Sequence, residues 1–230
     1  MKLPEPLIPG KLIERYKRFL ADVQLEDRTV TAHCPNSGSM MGLLQKGNDV
    51  LLSESGNPKR KLPYTWELVR VGPTWVGVNT INPNRMIHEA LLNGEIPELS
   101  QYSDIKREVI WKHTCRFDFM LKNGQKTCFV EVKNVTLEEN GLALFPDAKT
   151  ERGVKHLRHL KEAVSDGHRA VMCFLVNRED CTFFMPAETI DPVYADSLRD
   201  AYENGVEIVV YRANITPPEV VIDGALDFEL

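Results

Sequence analysis

The stretch RFDFMLKNGQKTCFVEVKNVTL, residues 116–137, carries apolar runs on both sides of Asn123-Gly124. Its phenylalanines and valines are residue types that fill the pleated, half-buried surface of a sheet. Asn-Gly is the preferred pair for a two-residue hairpin turn. We therefore predict a β-hairpin in which Lys122 faces Gln125.

The predicted hairpin places three charged side chains on one side of the sheet. Because side chains alternate along a strand, a loop of two or four residues keeps Asp118, Glu131 and Lys133 on the same side. In the two-residue register Asp118 faces Phe129 and lies diagonally across from Glu131, with about 7 Å between Cβ atoms. The opposite, core-facing side is predicted to carry Phe117, Phe119, Val130 and Val132.

Two neighbouring carboxylates repel each other, and burying them unpaired is costly. A hard divalent cation such as Mg²⁺ or Mn²⁺ removes this conflict, because it takes oxygen ligands and accepts water in its remaining positions. We predict a cation held by Asp118, Glu131 and the carbonyl of Val132, with Lys133 beside it to position a water or to stabilise phosphoryl charge. The alternative interpretation is a solvent-facing hairpin with ordinary charges.

The composition is that of a globular protein without membrane spans. Of 230 residues, 43% are hydrophobic and 27% are charged, and no run approaches the roughly 18 apolar residues of a membrane span. The beginning, MKLPEPLIPG, lacks the apolar core of a signal peptide. The five cysteines include no CxxC pair, which predicts reduced thiols in a cytoplasmic protein.

The net charge of −5 is unevenly distributed along the chain. Residues 191–230 contain nine acidic and two basic residues, whereas residues 1–190 contain 24 acidic and 26 basic ones. The acidity therefore belongs to one end, and a basic surface for nucleic acid is allowed elsewhere.

Residues 1–80 are predicted to form a small all-β barrel of about five strands, with a helix-like insert at SMMGLLQ. Residues 81–230 alternate strand and helix patterns and are predicted to form a mixed α/β sheet flanked by helices. In this second part we expect a helix capped by Asn84 and ended by Gly94, a helix capped by Thr150, and a helix opened by Asp191-Pro192.

Basic residues occur in both parts of the chain. Arg15, Lys17 and Arg18 belong to the predicted barrel. The helix after Thr150 should present Arg152, Lys155, His156 and His159 on the face opposite its apolar residues. A basic stripe near an acidic cluster suits a phosphodiester substrate, although a solvated charged face is the alternative.

Asp118 followed by Glu131-Val132-Lys133, with Glu89 on a preceding helix, resembles the PD-(D/E)XK nuclease superfamily. Phe117 occupies the place of the usual proline. This resemblance implies metal ligation by Asp118 and Glu131 and a catalytic role for Lys133, with Glu89 as a further acidic residue.

The whole chain resembles the bacterial sugar fermentation stimulation protein A family. The resemblance is carried by AHCPNSGSM, NTINPN, HEAL, RFDFML, VEVKNVTL, FPDAKTERGVKHL and IDPVYADSL. It implies an OB-like barrel joined to a nuclease-like domain, DNA binding, and a regulatory link to sugar catabolism, notably of maltose. Ser39 stands where the family usually has a basic residue.

Two functions from different classes remain open after the sequence is read. One is a Mg²⁺- or Mn²⁺-dependent DNA nuclease with little sequence specificity, and the other is a non-catalytic DNA-binding regulator. No Walker A loop, GxGxxG or GxSxG motif occurs, which argues against nucleotide-cofactor chemistry and a serine hydrolase. No helix-turn-helix is evident, so contacts with DNA are expected mainly at phosphates. A homo-oligomer is compatible with these patterns.

Overall fold

The computed structural model describes residues 1–112 and 115–230. The first six strands are β1 (Leu7–Tyr16), β2 (Leu20–Gln24), β3 (Thr29–His33), β4 (Asp49–Glu54), β5 (Tyr64–Val71) and β6 (Thr74–Gly77). They form one sheet in the order β3-β2-β1-β4-β5-β6. A further pairing between His33 of β3 and Thr65 of β5 closes the first five strands into a barrel around the buried Trp66.

The barrel differs from the prediction at one connection. SMMGLLQ is not a helix, because its middle residues form a turn in which Met40 and Gly42 have φ values of 56° and 80°. Left-handed residues cannot continue a right-handed helix. The turn instead places the side chains of Met40 and Leu43 in the barrel core.

The second part of the chain contains three helices and ten strands among the described residues. In chain order they are α1 (Asn82–Asn93), β7 (Asp104–Trp111), β8 (Cys115–Asn123), β9 (Lys126–Val135), β10 (Leu137–Glu139), β11 (Leu142–Phe145), α2 (Glu151–Ser165), β12 (Arg169–Val176), β13 (Phe183–Pro186), α3 (Pro192–Glu203), β14 (Glu207–Thr216), β15 (Glu219–Ala225) and β16 (Asp227–Phe228).

The larger sheet of this part has the order β15-β14-β12-β9-β8-β7. Strands β9, β12 and β14 run parallel, and the outer pairs are antiparallel, which confirms the predicted mixed sheet. One face packs against α1, and the other packs against α2 and α3. Both faces are therefore buried, which explains why β12 is apolar at every position after its first residue, Arg169. The smaller sheet has the order β10-β11-β13-β16.

The hairpin of β8 and β9 forms, with a register two residues away from the predicted one. Asn123 pairs with Lys126, so the two-residue loop is Gly124-Gln125. Gly124 has a φ of 57° at the first central position, where a type II′ turn requires glycine. A shift of two in the register preserves the side on which each residue lies, and only the partners change.

Strand β8 separates from β9 after the pair Phe119 and Val130. Asp118 and Glu131 are the next residues of the two strands, at the point where the ladder opens. Phe117 and Phe119 were predicted to share the core-facing side of the hairpin. Phe119 packs on the α1 side, whereas Phe117 packs with Phe129 on the α2 and α3 side. The difference arises because the ladder no longer holds β8 flat against β9 at this point.

The helix caps are confirmed at two of the three predicted places. Thr150 accepts a hydrogen bond from Gly153 N, and Asp191 accepts one from Tyr194 N. Asn84, in contrast, is not the cap of α1, because the helix begins at Asn82. Pro83 was the signal for this earlier start, since proline is favoured in the first turn.

Helix α2 buries more of its surface than its predicted apolar face alone would bury. His159, expected on the basic face, is only 3% exposed. The reason is that α2 packs against α3 as well as against the sheet, so that two sides of the helix are covered. Arg152 and Lys155 remain exposed.

The barrel joins the mixed sheet through close backbone contact at Gly77. Gly77 N donates to Asn177 O at 2.9 Å, and a Cβ at Gly77 would lie 2.1 Å from Asn177 Nδ2. We expect Gly77→Ala to lower the free energy of unfolding by about 1–3 kcal/mol, the usual cost of overpacking. Urea unfolding measures the change. Gly56→Ala is the matched control, because no atom lies within 4 Å of that position and its stability should stay within about 0.5 kcal/mol.

Candidate functional site

A cleft of about 900 Å³ opens between the barrel and the mixed sheet. The sheet contributes Asp118, Glu131 and Lys133, so the three side chains that were predicted to lie together line one cleft. Barrel residues 36–39 and the loop before α2 form its walls. The charged cluster is therefore neither solvent-facing nor in the core. It lies inside an interface between the two parts of the chain.

Asp118 is held by two hydrogen bonds. Its Oδ1 accepts from Asn84 Nδ2 at 2.8 Å, and its Oδ2 accepts from Val132 N at 2.8 Å. Burial, and then the nearby charge of Glu131, raise the pKa of Asp118 above its ordinary value, although these hydrogen bonds oppose the shift. The two carboxylates thus lie close enough to repel each other, as the sequence predicted.

Glu131 is 3% exposed and lies at the centre of the cluster. Lys133 Nζ donates to its Oε1 at 2.7 Å, and His156 Nδ1 contacts the same oxygen. Burial acts to raise the pKa of Glu131, but Lys133 and His156 together outweigh it and the pKa is lowered. Arg152 Nε donates to His156 Nε2 at 3.3 Å, and Lys133 Nζ lies 3.1 Å from His156 Nδ1.

The oxygen atoms around Asp118 and Glu131 are the ligand type that a hard divalent cation takes. Val132 N points at Asp118, and in an extended strand the N–H and C=O of one residue point to the same side. The Val132 carbonyl therefore faces the cleft edge with the carboxylates. Within residues 1–112 and 115–230 no cluster of three or more His, Cys, Asp or Glu side chains suits a metal ion. Two carboxylates, one carbonyl and water fit Mg²⁺, which keeps several waters.

Glu89 is not part of this cluster, and its predicted place there is wrong. It is half exposed, and its Oε1 lies 3.1 Å from the amino group of Met1, at a separate small cavity. Helix α1 begins at Asn82, and Asn84 in its first turn faces the cleft. Glu89 comes five residues later, so at about 100° per residue its side chain lies about 140° around the helix from Asn84. Asn84 replaces Glu89 as the contribution of α1 to the site.

The predicted basic residues are divided between the cleft and the surface. Arg15, Arg18 and Arg152 line the cleft. Lys17 and Lys155 are exposed and are not among the described lining residues.

Arg15 has a further contact that the sequence did not reveal. Its guanidinium donates to the carbonyl oxygens of Asn36 and Gly38 at 2.8 and 2.9 Å. It thereby holds the loop that follows β3 in AHCPNSGSM. Ser39 Oγ donates to Asp147 O at 2.6 Å, and Met40 N donates to Asp147 Oδ2 at 2.7 Å. The barrel and the mixed-sheet part of the chain are thus bridged over one end of the cleft.

Two family models together match most of the chain. One, described as the sugar fermentation stimulation protein RE domain, matches residues 81–219, and the other, described as the SfsA N-terminal OB domain, matches residues 13–78. The chain belongs to the sugar fermentation stimulation protein (SfsA) family. The resemblance to this family is confirmed, and so is the predicted fold of an OB-like barrel followed by a mixed sheet flanked by helices.

Relatives in the SfsA family match along their full length. A sugar fermentation stimulation protein homolog of Citrifermentans bemidjiense is 56% identical over 98% of both chains. The homolog of Geotalea uraniireducens is 52% identical over 100% of both chains. The solved structure of Pyrococcus furiosus SfsA in complex with Ca²⁺ has a TM-score of 0.92, with 26% identity over 100% of both chains.

None of the helices in the described part of the chain is long and apolar enough to cross a membrane. All five cysteines are buried and free, and burial raises the pKa of Cys115 to about 11. Free, buried thiols agree with the reduced state predicted from the sequence. Location in the cytoplasm stays a prediction.

Proposed function

We propose that this SfsA-family protein binds DNA through its phosphates and cleaves phosphodiester bonds with the help of Mg²⁺ or Mn²⁺, with little sequence specificity. The observation that carries the proposal is a carboxylate pair, the half-buried Asp118 and the buried Glu131, beside Lys133 in a cleft lined by arginines. The proposal includes a division of the chain into a DNA-binding barrel, residues 1–80, and a nuclease-like domain, residues 81–230.

The cation would be held by Asp118, Glu131 and the carbonyl of Val132. The P. furiosus SfsA structure contains Ca²⁺, an oxygen-binding cation of the same class, which supports a divalent site in this chain. Such a cation, when bound, polarises a phosphoryl oxygen and lowers the pKa of a bound water.

The protein groups around this site have separate roles in the proposal. Lys133 places a positive charge where the phosphoryl group gains negative charge. Asn84 and Val132 N orient Asp118, and His156 orients Glu131. Arg18 and Arg152, on opposite walls, hold the phosphates on either side of the scissile bond.

The test of catalysis is cleavage of supercoiled, linear and single-stranded DNA by the full chain with Mg²⁺, with Mn²⁺ or with chelator. The proposal expects cleavage with either cation and none with chelator. Absence of metal-dependent cleavage from all three substrates would reject the nuclease and leave the DNA-binding part.

DNA affinity should fall steeply with salt, because phosphate contacts release counterions. We expect Arg18→Ala and Arg152→Ala each to lower the log–log salt slope by about one unit. Arg158→Ala is the matched control, since Arg158 is an exposed arginine of α2 that pairs with Glu162 and is not among the lining residues described. Salt slopes that equal the wild-type slope in all three variants would show that the cleft is not the DNA surface.

Three other basic residues belong to the proposed DNA surface. Lys17 and Lys155 extend it outside the cleft, and the same salt titration tests Lys17→Ala and Lys155→Ala. Arg15 is less suited to this assay, because its removal also releases the carbonyls of Asn36 and Gly38.

The second candidate function is a non-catalytic DNA-binding regulator of sugar catabolism. One observation favours it: Lys133 and His156 already satisfy Glu131, and Asn84 and Val132 N satisfy Asp118. The cluster is therefore hydrogen-bonded without a cation. The cleavage assay separates the two candidates, because a pure binder retains the salt-dependent affinity and shows no metal-dependent cleavage.

A further inference from the structure

The connection between β1 and β2 exposes an aromatic ring on the barrel. Phe19 lies in the turn before β2 and is 46% exposed. Its ring stacks on His33, with ring centroids 6.5 Å apart and planes inclined by 22°. The exposed part of the ring offers a flat apolar surface on which another aromatic ring can stack.

Cationic side chains surround this aromatic pair. Lys17 and Arg18 precede Phe19 in the turn, and both are exposed. Arg60 Nη2 lies 3.4 Å from His33 Nδ1. Burial, and then the charge of Arg60, lower the pKa of His33, so that its ring is mainly neutral at pH 7 and stacks as an uncharged aromatic.

The aromatic pair is continuous with the wall of the cleft. Arg18, the neighbour of Phe19, lines the cleft, and its carbonyl accepts from Arg15 Nε at 3.0 Å. Arg15 also binds the Asn36 carbonyl of the cleft loop. Cys34 N, at the beginning of that loop, donates to the carbonyl of Phe19 at 2.8 Å. One hydrogen-bonded unit therefore carries both the exposed ring and the cleft wall.

The cleft itself has the dimensions of a small-molecule pocket. Its volume of about 900 Å³ lies within the range of about 300–1,000 Å³ that suits drug-sized ligands. Ser39 and Met40 are joined to Asp147 across one end, which narrows the cleft there. A few unstacked nucleotides match this space.

We infer that the barrel binds single-stranded DNA, with a base stacked on Phe19 and the adjoining phosphates held by Arg18 and Arg60 on the way into the cleft. Aromatic rings in a cationic groove are how proteins hold single strands, because every base has a π-face. The inference rests on the proposed function in one respect, because it takes the carboxylate cluster as the place to which the single-stranded DNA leads. It adds the class of substrate, which is DNA that is single-stranded at the site.

The experiment compares binding of two fluorescein-labelled probes in chelator, by fluorescence anisotropy. One is oligo(dT) of about 12 nucleotides, within the site sizes of OB folds, and the other is a hairpin duplex of similar charge. Wild type should bind oligo(dT) more tightly than the duplex. Phe19→Ala should weaken oligo(dT) binding by about five- to fiftyfold and duplex binding by much less.

Two further variants separate stacking from loss of fold. Phe19→Trp should retain oligo(dT) affinity, and its added indole fluorescence should be quenched by the probe, a signal that a purely structural residue would not produce. Leu44→Ala removes another exposed apolar side chain of the barrel, 37% exposed, and should leave affinity unchanged.

Each remaining outcome has a distinct meaning. Equal affinity in Phe19→Ala and wild type, or preference of wild type for the duplex, overturns the stacking surface while the proposed function stands. Oligo(rU) of the same length serves as a third labelled probe, and tighter binding of wild type to it than to oligo(dT) overturns the assignment to DNA. Failure of wild type to bind either DNA probe overturns this inference together with the proposed DNA binding.

Discussion

Replacement of Lys133 by alanine is expected to lower metal-dependent DNA cleavage by about two to four orders of magnitude, the usual cost of losing an electrostatic or acid–base group. The loss should appear in the rate and hardly in DNA affinity, because one phosphate contact among many contributes little to binding. Lys133 Nζ lies 2.7 Å from Glu131 Oε1, so the charge is held at the carboxylates and does not extend into solvent.

The Lys133 experiment needs two further variants for comparison. Lys126→Ala removes an exposed lysine at the other end of β9 and should cleave like wild type. Lys133→Arg keeps the positive charge and should retain more activity than Lys133→Ala. Nicking of equal extent in wild type and Lys133→Ala, with either cation, would indicate a contaminating nuclease, and the catalytic proposal would then be withdrawn.

Replacement of Asp118 by asparagine is expected to weaken Mn²⁺ binding by about a hundredfold or more. Loss of an outer-shell partner alone costs about 10–100-fold in metal affinity, and Asp118 is proposed as a direct ligand. Isothermal titration calorimetry with MnCl₂ measures the change. Asp104→Asn is the control, because Asp104 is an exposed carboxylate of the same sheet and should leave Mn²⁺ binding unchanged.

The same variant has a predictable effect on stability. Both oxygens of Asp118 accept hydrogen bonds, from Asn84 Nδ2 and from Val132 N. Asparagine offers one acceptor and one donor group, so one of these two N–H groups would face another donor, at a cost of about 1–3 kcal/mol. Circular dichroism should therefore show the same fold with a lower melting temperature. Wild-type Mn²⁺ affinity in this folded variant would remove Asp118 from the metal site.

The nearness of the trio formed by Asp118, Glu131 and Lys133 was predictable from the sequence. Side chains alternate with a period of two, so an error of two residues in the register left Asp118, Glu131 and Lys133 together. The caps at Thr150 and Asp191 were also predictable, because capping depends on neighbours within one turn. Family membership followed from short strings spread over nearly the whole chain.

The surroundings of the trio depended on packing over long sequence separations. Asn84 reaches Asp118 and His156 reaches Glu131 only because α1 and α2 meet the sheet at a particular rotation, and the same rotation of α1 carries Glu89 away. The periodicity of a helix shows which residues share a face, but it does not show what that face contacts.

Local periodicity and matching strings were enough to predict many of the strands, the nearness of the carboxylates and the lysine, and the family. The packing of the barrel on the mixed sheet creates the cleft, the wall that Arg15 and Asp147 hold, and the exposed position of Phe19. Those features arise where the barrel meets the mixed sheet. Their energies come from contacts between residues as far apart as Met40 and Asp147, which no local pattern records.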